Sequence, residues 1–512
     1  MSARGPIARL DAVPMHALVG AILGAHVVLG ALLSFAGVLA FDGLGILVSA
    51  LLAVAVSVVA SLLFGRIARR PAHVPSAAIT GLLVASIAAP PSMDRPSGIV
   101  DLAVVAAVCA LAAAVKVLVV RRGRLIVNPA AAGLVLAGIA LPLLTPGVGV
   151  ELWWVAALPL LPLTIVGGLL VLVRTRIVGP ALVLVAIGVV LQTLAYAAFT
   201  GDVPAALVQA IGQSPVLFLA AFMFTEPITL PPLRQQRLLV GALVGLLLAV
   251  PALASVASIP VGIGSFYPGP ALALVVGNVV AFLLGTRHGT VLRLTGSERH
   301  GDVVDLRFLA EPELSHRPGQ WVELSLPHRA DLRGERRVFS VASPPGSTEV
   351  RLGIRAAEPI SSFKRHLLDM APGDTVAVTR QGGDFTPKPG QPRLLVAAGI
   401  GVTPFLSHLG ASDDDTVLVL LLREGDPVPF AHALEQAHAR VIVVSPSAPA
   451  GMASTWEHES GRIDGDRLRA LVPDLAERQV LVSGSSEQVG RLRRIAKAAG
   501  ARRVLVDAFA GY

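Results

Sequence analysis

Cysteine is nearly absent: Cys109 is the only one in 512 residues, and it lies in an apolar run. A lone thiol builds no disulfide framework, no cysteine-rich zinc site and no iron–sulfur cluster held by four thiolates. Charge is scarce too. Only 15% of residues are charged and 54% are hydrophobic, too apolar for an ordinary soluble chain of this length. The scarcity is uneven. Up to Gly285 charges come in short clusters, whereas from Arg287 onward both signs are dense. The net charge of +8 would suit nucleic acid, but the basic residues sit between apolar runs or alternate with acids. A bilayer is therefore the expected partner, and nucleic acid is not. Facing histidine pairs are also missing. Only His16 and His26 fall in a long apolar run, both in the same one, which argues against a haem held across two helices. The first apolar run is far longer than a signal-peptide core, so no cleaved leader is read.

What is present falls into two halves. Spanning a bilayer as a helix takes roughly 20 apolar residues. Such runs occur at 15–41, 44–64, 99–120, 125–144, 155–173, 177–198, 238–256 and 272–284, with shorter or Pro-interrupted ones at 77–89 and 214–227. These ten runs predict a polytopic helical membrane domain of about ten helices. Alternate loops carry the arginines: Arg4 and Arg9, then Arg66, Arg69 and Arg70, then Arg121, Arg122 and Arg124, then Arg174 and Arg176, then Arg234 and Arg237, then Arg287. The intervening loops carry Asp42, Asp94, Glu151 and Asp202, with Arg95 as their one base. This asymmetry predicts a multi-pass protein of the cell membrane with both termini in the cytosol.

The apolar half also looks duplicated. N-P-A-A-A-G-L-V-L-A-G at 128–138 parallels Y-P-G-P-A-L-A-L-V-V-G at 267–277, and Pro90-Pro91 parallels Pro231-Pro232. Both pairs are offset by about 140 residues, as a duplication requires, and an odd number of helices per repeat makes the two halves inverted. Chance similarity of Pro/Ala/Gly-rich sequence is the plainer alternative. Asn128 and Glu226, in V-N-P and F-M-F-T-E-P, are the most costly polar groups to bury and so the functional candidates; an interfacial carboxylate is the other reading of Glu226. Lys116 is expected to snorkel to the cytosolic face.

The N-P-A-A-A-G and F-T-E-P segments and the five-plus-five layout resemble the family of flavin-carrying membrane subunits shared by the Rnf electron-transport complex and the sodium-translocating NADH:quinone reductase. That resemblance implies an intramembrane flavin, FMN or riboflavin, near Asn128, Thr225 and Glu226. The family's S-G-A-T-type flavinylation motif does not occur here, and Thr145, Thr200 and Thr225 lack its context. The resemblance therefore carries over as a non-covalent flavin.

From Gly289 the pattern changes to β-rich runs with polar turns, V-L-R-L-T, V-V-D-L-R-F, Q-W-V-E-L-S-L, R-V-F-S-V-A, V-R-L-G-I and T-V-A-V, which predict a small antiparallel barrel. After Pro392, apolar strands alternate with helical stretches, predicting a doubly wound parallel sheet. G-I-G-V-T-P at 399–404 follows such a strand and opens a helix, so its backbone can approach a pyrophosphate.

A barrel and a doubly wound sheet with these motifs in this order resemble the ferredoxin–NADP reductase superfamily. Within that resemblance, P-G-Q-W at 318–321 matches the turn before the flavin strand, and Arg337, Val338, Phe339 and Ser340 match its R-x-Y-S motif. Arg337 is then expected on a flavin phosphate, Phe339 on the isoalloxazine and Ser340 near its N5. Ser361 and Ser362 match the second phosphate loop, with Glu358 and Pro359 where glycines are usual; Arg355 beside it reads more readily as a solvated charge. Gly399, Gly401, Thr403 and Pro404 match the nucleotide loop, and Arg423 a position near its ribose. Ser483, Gly484 and Ser485 stand where C-G-P is common, and Ser340 and Ser483 are the expected catalytic pair. Phe509 or Tyr512 is expected over the flavin, with packing of the last strand as the alternative for Phe509.

The joined expectation is a transmembrane electron-transfer domain (1–288), a flavin-binding barrel (289–388) and an NAD(P)-binding α/β domain (389–512). Electrons would pass from cytosolic NADH or NADPH through FAD to a membrane flavin and on to an extracytosolic flavoprotein or a quinone. No metal is expected. The alternatives are a transporter with a regulatory nucleotide-binding domain and a haem-based reductase.

Overall fold

The computed structural model describes residues 6–121, 124–145, 149–262, 266–285, 289–358, 360–411 and 415–509. Arg4, Arg122, Arg287, Pro359 and Tyr512 lie outside the described residues. The chain divides into two compact units, one made of Val13–Arg287 with Leu332–Gly334, the other of Met1–Ala12, His288–Asp331 and Glu335–Tyr512.

The first unit is helical. Six helices among the described residues are long and apolar enough to cross a membrane: Met15–Phe35, Gly43–Ile67, Ser97–Leu118, Leu158–Thr175, Val178–Thr200 and Arg234–Val256. A seventh span arises if Val203–Gly212 and Val216–Met223, bent by 42°, count as one. The first of that pair was not foreseen as part of an apolar run. Three further runs expected to span fold as shorter helices, Val74–Ile87, Pro129–Leu144 and Pro270–Leu284. The second is 16 residues, roughly 24 Å at 1.5 Å per residue, less than a hydrocarbon core of about 30 Å. Pro129 sets its start, where a missing N–H costs no intrahelical bond, and Pro142 removes one bond from its last turn.

These helices are apolar all round, and large side chains such as Leu51, Ile67, Ile99 and Leu118 are exposed, as for a surface covered by lipid. Association rests on close backbone approach. A Cβ at Gly81 would lie 2.5 Å from the Ala53 carbonyl oxygen, and one at Gly133 would lie 2.7 Å from that of Val108. Two of the arginines assigned to the basic loops are buried. Arg124 is 3% exposed and donates to the carbonyls of Ile228 and Leu230. Arg174 is 2% exposed and donates to that of Val13. The guanidinium fork serves carbonyls left without partners where helices break.

The second unit holds two six-stranded sheets. Its strands are β1 (Thr290–His300), β2 (Val303–Glu311), β3 (Trp321–Ser325), β4 (Arg336–Ser340), β5 (Glu349–Arg355), β6 (Thr375–Gly382), β7 (Arg393–Ala398), β8 (Thr416–Leu421), β9 (Arg440–Ser445), β10 (Glu457–Ser460), β11 (Gln479–Ser485) and β12 (Val504–Phe509). The first sheet is antiparallel in the order β4-β3-β6-β1-β2-β5, and a Val341–Leu352 bridge brings its two end strands together. Alternating residues such as Leu292, Leu294, Val322, Leu324, Val350 and Leu352 fill its interior. The second is parallel in the order β10-β9-β8-β7-β11-β12. Every residue of β7 is buried, as a strand covered on both faces requires.

A buried ion pair ties β3 to β6. Arg380 donates to both carboxylate oxygens of Glu323, at 3.2 and 2.6 Å, and Thr379 adds a third bond at 2.7 Å. Burial pushes the Glu323 carboxyl up, but the Arg380 charge and these bonds outweigh it and hold the group down at about 2.

Candidate active site

The order of the parallel sheet decides where a ligand can sit. From β7 the chain winds outward through β8, β9 and β10, then crosses back to place β11 on the other side of β7. The crevice beyond the carboxyl ends of β7 and β11 is thus a topological switch point, the usual ligand position in such sheets. Both expected nucleotide motifs lie there. Residues Gly399–Val402 form a single tight turn after β7, with Gly399 at φ +54° and open space where a Cβ would project. Gly401 is required for packing: a Cβ there would lie 2.5 Å from the Ser483 carbonyl oxygen. Gly484 adopts φ +156° and abuts Ala398. A glycine at each of these places lets two strand ends and a ligand share one crevice.

Thr403 and Pro404 are buried, and the Thr403 hydroxyl donates to the Ile400 carbonyl at 3.1 Å. They shape the turn from behind. Arg423 is exposed just past β8. Ser483 is fully buried, and its Oγ has no hydrogen-bond partner among the described residues.

The antiparallel sheet delivers its motif to the same place. Ser340, at the end of β4, has its Oγ 3.5 Å from Asp507 Oδ2 on β12, and Asp507 is in register with Ser483 of β11. Ser340, Asp507, Ser483 and Gly401 therefore come together. Asp507 was missed from sequence: its D-A-F-A-G-Y context drew attention to the aromatics alone. Phe509 is half-buried and in register with Ser485.

Arg337 is 5% exposed on β4, with its guanidinium 5.4 Å from the Phe363 ring centre. Phe339 is also buried, its ring stacked on Phe363 at 6.2 Å between centres, and Val338 lies between them in register with Glu323. Ser361 caps the helix Ser362–Leu368 by accepting from the Lys364 amide. The Ser362 amide donates to Asp331 Oδ2 at 3.0 Å, and Asp331 Oδ1 lies 3.8 Å from the Arg337 guanidinium. Asp331 thus sets a negative charge between the two groups expected to take flavin phosphates. A pair of donors already arranged around an internal carboxylate has the chemistry an anionic pyrophosphate requires.

The comparisons with known proteins bear on this half. Ferredoxin–NADP reductase B of Sorangium cellulosum (strain So ce56) is 41% identical over 98 residues, 18% of this chain and 38% of that protein. NADH oxidoreductase HCR of Escherichia coli (strain K12) is 26% identical over 216 residues, 41% of this chain and 64% of that one. The C-terminal half resembles the ferredoxin–NADP reductases and flavohaemoproteins. The chain spans less than two thirds of the length of either relative. Among solved structures, the flavohem-like FAD/NAD-binding domain of nitric oxide dioxygenase from Vibrio cholerae O1 biovar El Tor aligns with a TM-score of 0.37 and 16% identity, covering 44% of this chain and 99% of that one. No protein-family model matches the chain.

In the helical unit the candidate polar groups meet one another. Asn128 Nδ2 donates to Glu226 Oε2 at 2.9 Å, and the Asn128 amide donates to Asn278 Oδ1 at 2.8 Å. Asn278, 1% exposed, was not anticipated; it stands inside the second Pro-started helix, where a lone amide raised no sequence signal. Thr225 is buried and its hydroxyl donates to the Ala221 carbonyl at 2.8 Å. His26, in the apolar helix Met15–Phe35, has Nδ1 at 2.9 Å from the Ile22 carbonyl and Nε2 at 3.0 Å from the Thr164 hydroxyl.

Proposed function

We propose that the chain is a membrane-bound NAD(P)H:flavin oxidoreductase whose C-terminal half draws reducing equivalents from cytosolic NADH or NADPH into a helical membrane domain. The observation that carries this reading is the meeting of Ser340, Asp507, Ser483 and Gly401 at the switch point of the parallel sheet. FAD, when bound, supplies an acceptor that takes a hydride and returns electrons one at a time. Arg337 with the Ser361–Ser362 turn holds its pyrophosphate, with Asp331 displaced. Phe339 and Phe509 border the ring system. Ser340, positioned by Asp507, holds a proton at its hydroxyl within reach of the reacting edge. On the nucleotide side Gly399 and Gly401 admit the pyrophosphate, Thr403 and Pro404 keep the turn in shape, and Arg423 lies toward the ribose. Ser483 and Gly484 orient the nicotinamide, the buried Ser483 hydroxyl serving as its polar contact.

We read the antiparallel sheet as a closed barrel and the helical unit as two inverted repeats, with Asn128, Thr225 and Glu226, joined by Asn278, lining the place of a second, non-covalent flavin. The N-terminal resemblance to the membrane subunits of the Rnf complex and the sodium-translocating reductase supports that carrier. So does width: a hydrocarbon core of about 30 Å is too thick for one tunnelling step. The terminal acceptor is an extracytosolic flavoprotein or a quinone. Cofactor extraction from purified full-length protein, with flavins identified by mass spectrometry, tests the scheme. FAD plus a second flavin per chain is expected; FAD alone would refute the membrane carrier, and protein that takes up no flavin would refute the reductase. The short helices and the bent pair favour one rival, a transporter with a regulatory tail, which predicts nucleotide binding without nucleotide oxidation.

A further inference from the structure

A cavity of about 340 Å³ opens at one end of the helical unit, lined by Val173, Arg176, Val178, Gly179, Pro180, Arg234 and Arg237. Three arginines line it, and no carboxylate does among the described residues. Arg237 is braced, donating to the carbonyls of Pro231 and Pro232 at 2.8 and 3.1 Å, and Arg176 ends the preceding helix at a left-handed φ of +59°.

The backbone adds to the positive field. The cavity sits at the start of two 23-residue helices, Val178–Thr200 and Arg234–Val256. Neither has a side-chain cap or an acid in its first turn, so both leave amide donors and a positive helix end facing the arginines. The rest of the lining is apolar, and the helices leading away carry exposed Leu169, Leu182 and Leu239. We propose that this cavity binds the phosphate of an anionic phospholipid headgroup, with the acyl chains lying along those exposed leucines. Basic cavities between spanning helices suit such headgroups, and the apolar surround distinguishes a lipid from a soluble phosphate.

The test titrates detergent-solubilised full-length protein with phosphatidylglycerol, phosphatidylcholine or inorganic phosphate, reading lipid adducts by native mass spectrometry and the thermal midpoint. Phosphatidylglycerol is expected to bind and raise the midpoint, phosphatidylcholine and inorganic phosphate much less. The double variant Arg176→Gln/Arg234→Gln leaves the braced Arg237 intact and should weaken phosphatidylglycerol on the order of 30-fold, by the usual contribution per basic residue at an anionic surface. The control Arg66→Gln/Arg70→Gln removes equal charge from another loop and should change little. Equal loss in both variants, or none in the first, overturns the proposal. An equal midpoint rise with inorganic phosphate overturns the lipid assignment.

Discussion

The two halves of this chain solve the problem of placing polar groups in opposite ways. In the C-terminal unit polar side chains stand at strand ends and aim into a crevice, with Ser483 buried and without a partner among the described residues, and Gly399 and Gly401 keeping the backbone low. In the helical unit the buried polar groups turn toward one another, Asn128 to Glu226 and to Asn278, Arg124 to carbonyls. The first arrangement is built to receive ligands. The second repairs breaks in helices, which a bilayer does not forgive, and any carrier there must share groups the fold already uses.

Perturbations of the C-terminal crevice should therefore cost function before fold. If Arg337 holds the flavin phosphate as proposed, Arg337→Ala should weaken flavin binding roughly 100-fold, so that flavin is lost on gel filtration while the circular-dichroism spectrum is unchanged. Gly401→Ala pushes a methyl onto the Ser483 carbonyl. It should retain flavin but lower kcat/KM for NADH or NADPH by roughly tenfold to 100-fold, measured with an artificial electron acceptor. If Gly401→Ala lost flavin instead, the two motifs would not occupy separate sides of the crevice.

A third test concerns stability. His408 is buried, and burial, then the Arg393 charge, push its imidazole down to about 3. The folded state thus keeps it neutral while the unfolded chain protonates it near the ordinary value of 6.5. Its contribution is complete above pH 6.5 and is lost as pH falls toward 3. Glu323, held at about 2, begins to cost stability only below its ordinary 4.5. Of these two groups only His408 acts between pH 6.5 and 4.5, so His408→Asn should flatten the fall of the C-terminal unit's thermal midpoint across that window. The smallest effect is expected at Asp331. Asp331→Asn removes the internal anion between Arg337 and Ser362 and should tighten flavin about threefold to tenfold in a titration of flavin-free protein; weaker binding would make Asp331 a scaffold and not a competitor.

How much was legible from sequence follows the same division. The parallel sheet and the G-I-G turn at Gly399 and Gly401 were readable because strand periodicity and glycine spacing are local, whereas Ser340 and Ser483 were named only through the resemblance to the ferredoxin–NADP reductases. Asp507 was not, since its significance arises only when β12 lies beside β11 and faces β4. The apolar runs announced helices but not their lengths, because prolines at 129, 142 and 270 shorten or start them where hydropathy continues. Nor could loop charge reveal that Arg124 and Arg174 turn inward to cap broken helices.

The reductase reading is tested most directly by rapid mixing of FAD-loaded full-length protein with NADH or NADPH under anaerobic conditions, following the flavin's visible absorbance. The account predicts bleaching by at least one nucleotide, slowed in Gly401→Ala at unchanged flavin content. Flavin that stays oxidised with both nucleotides would contradict it.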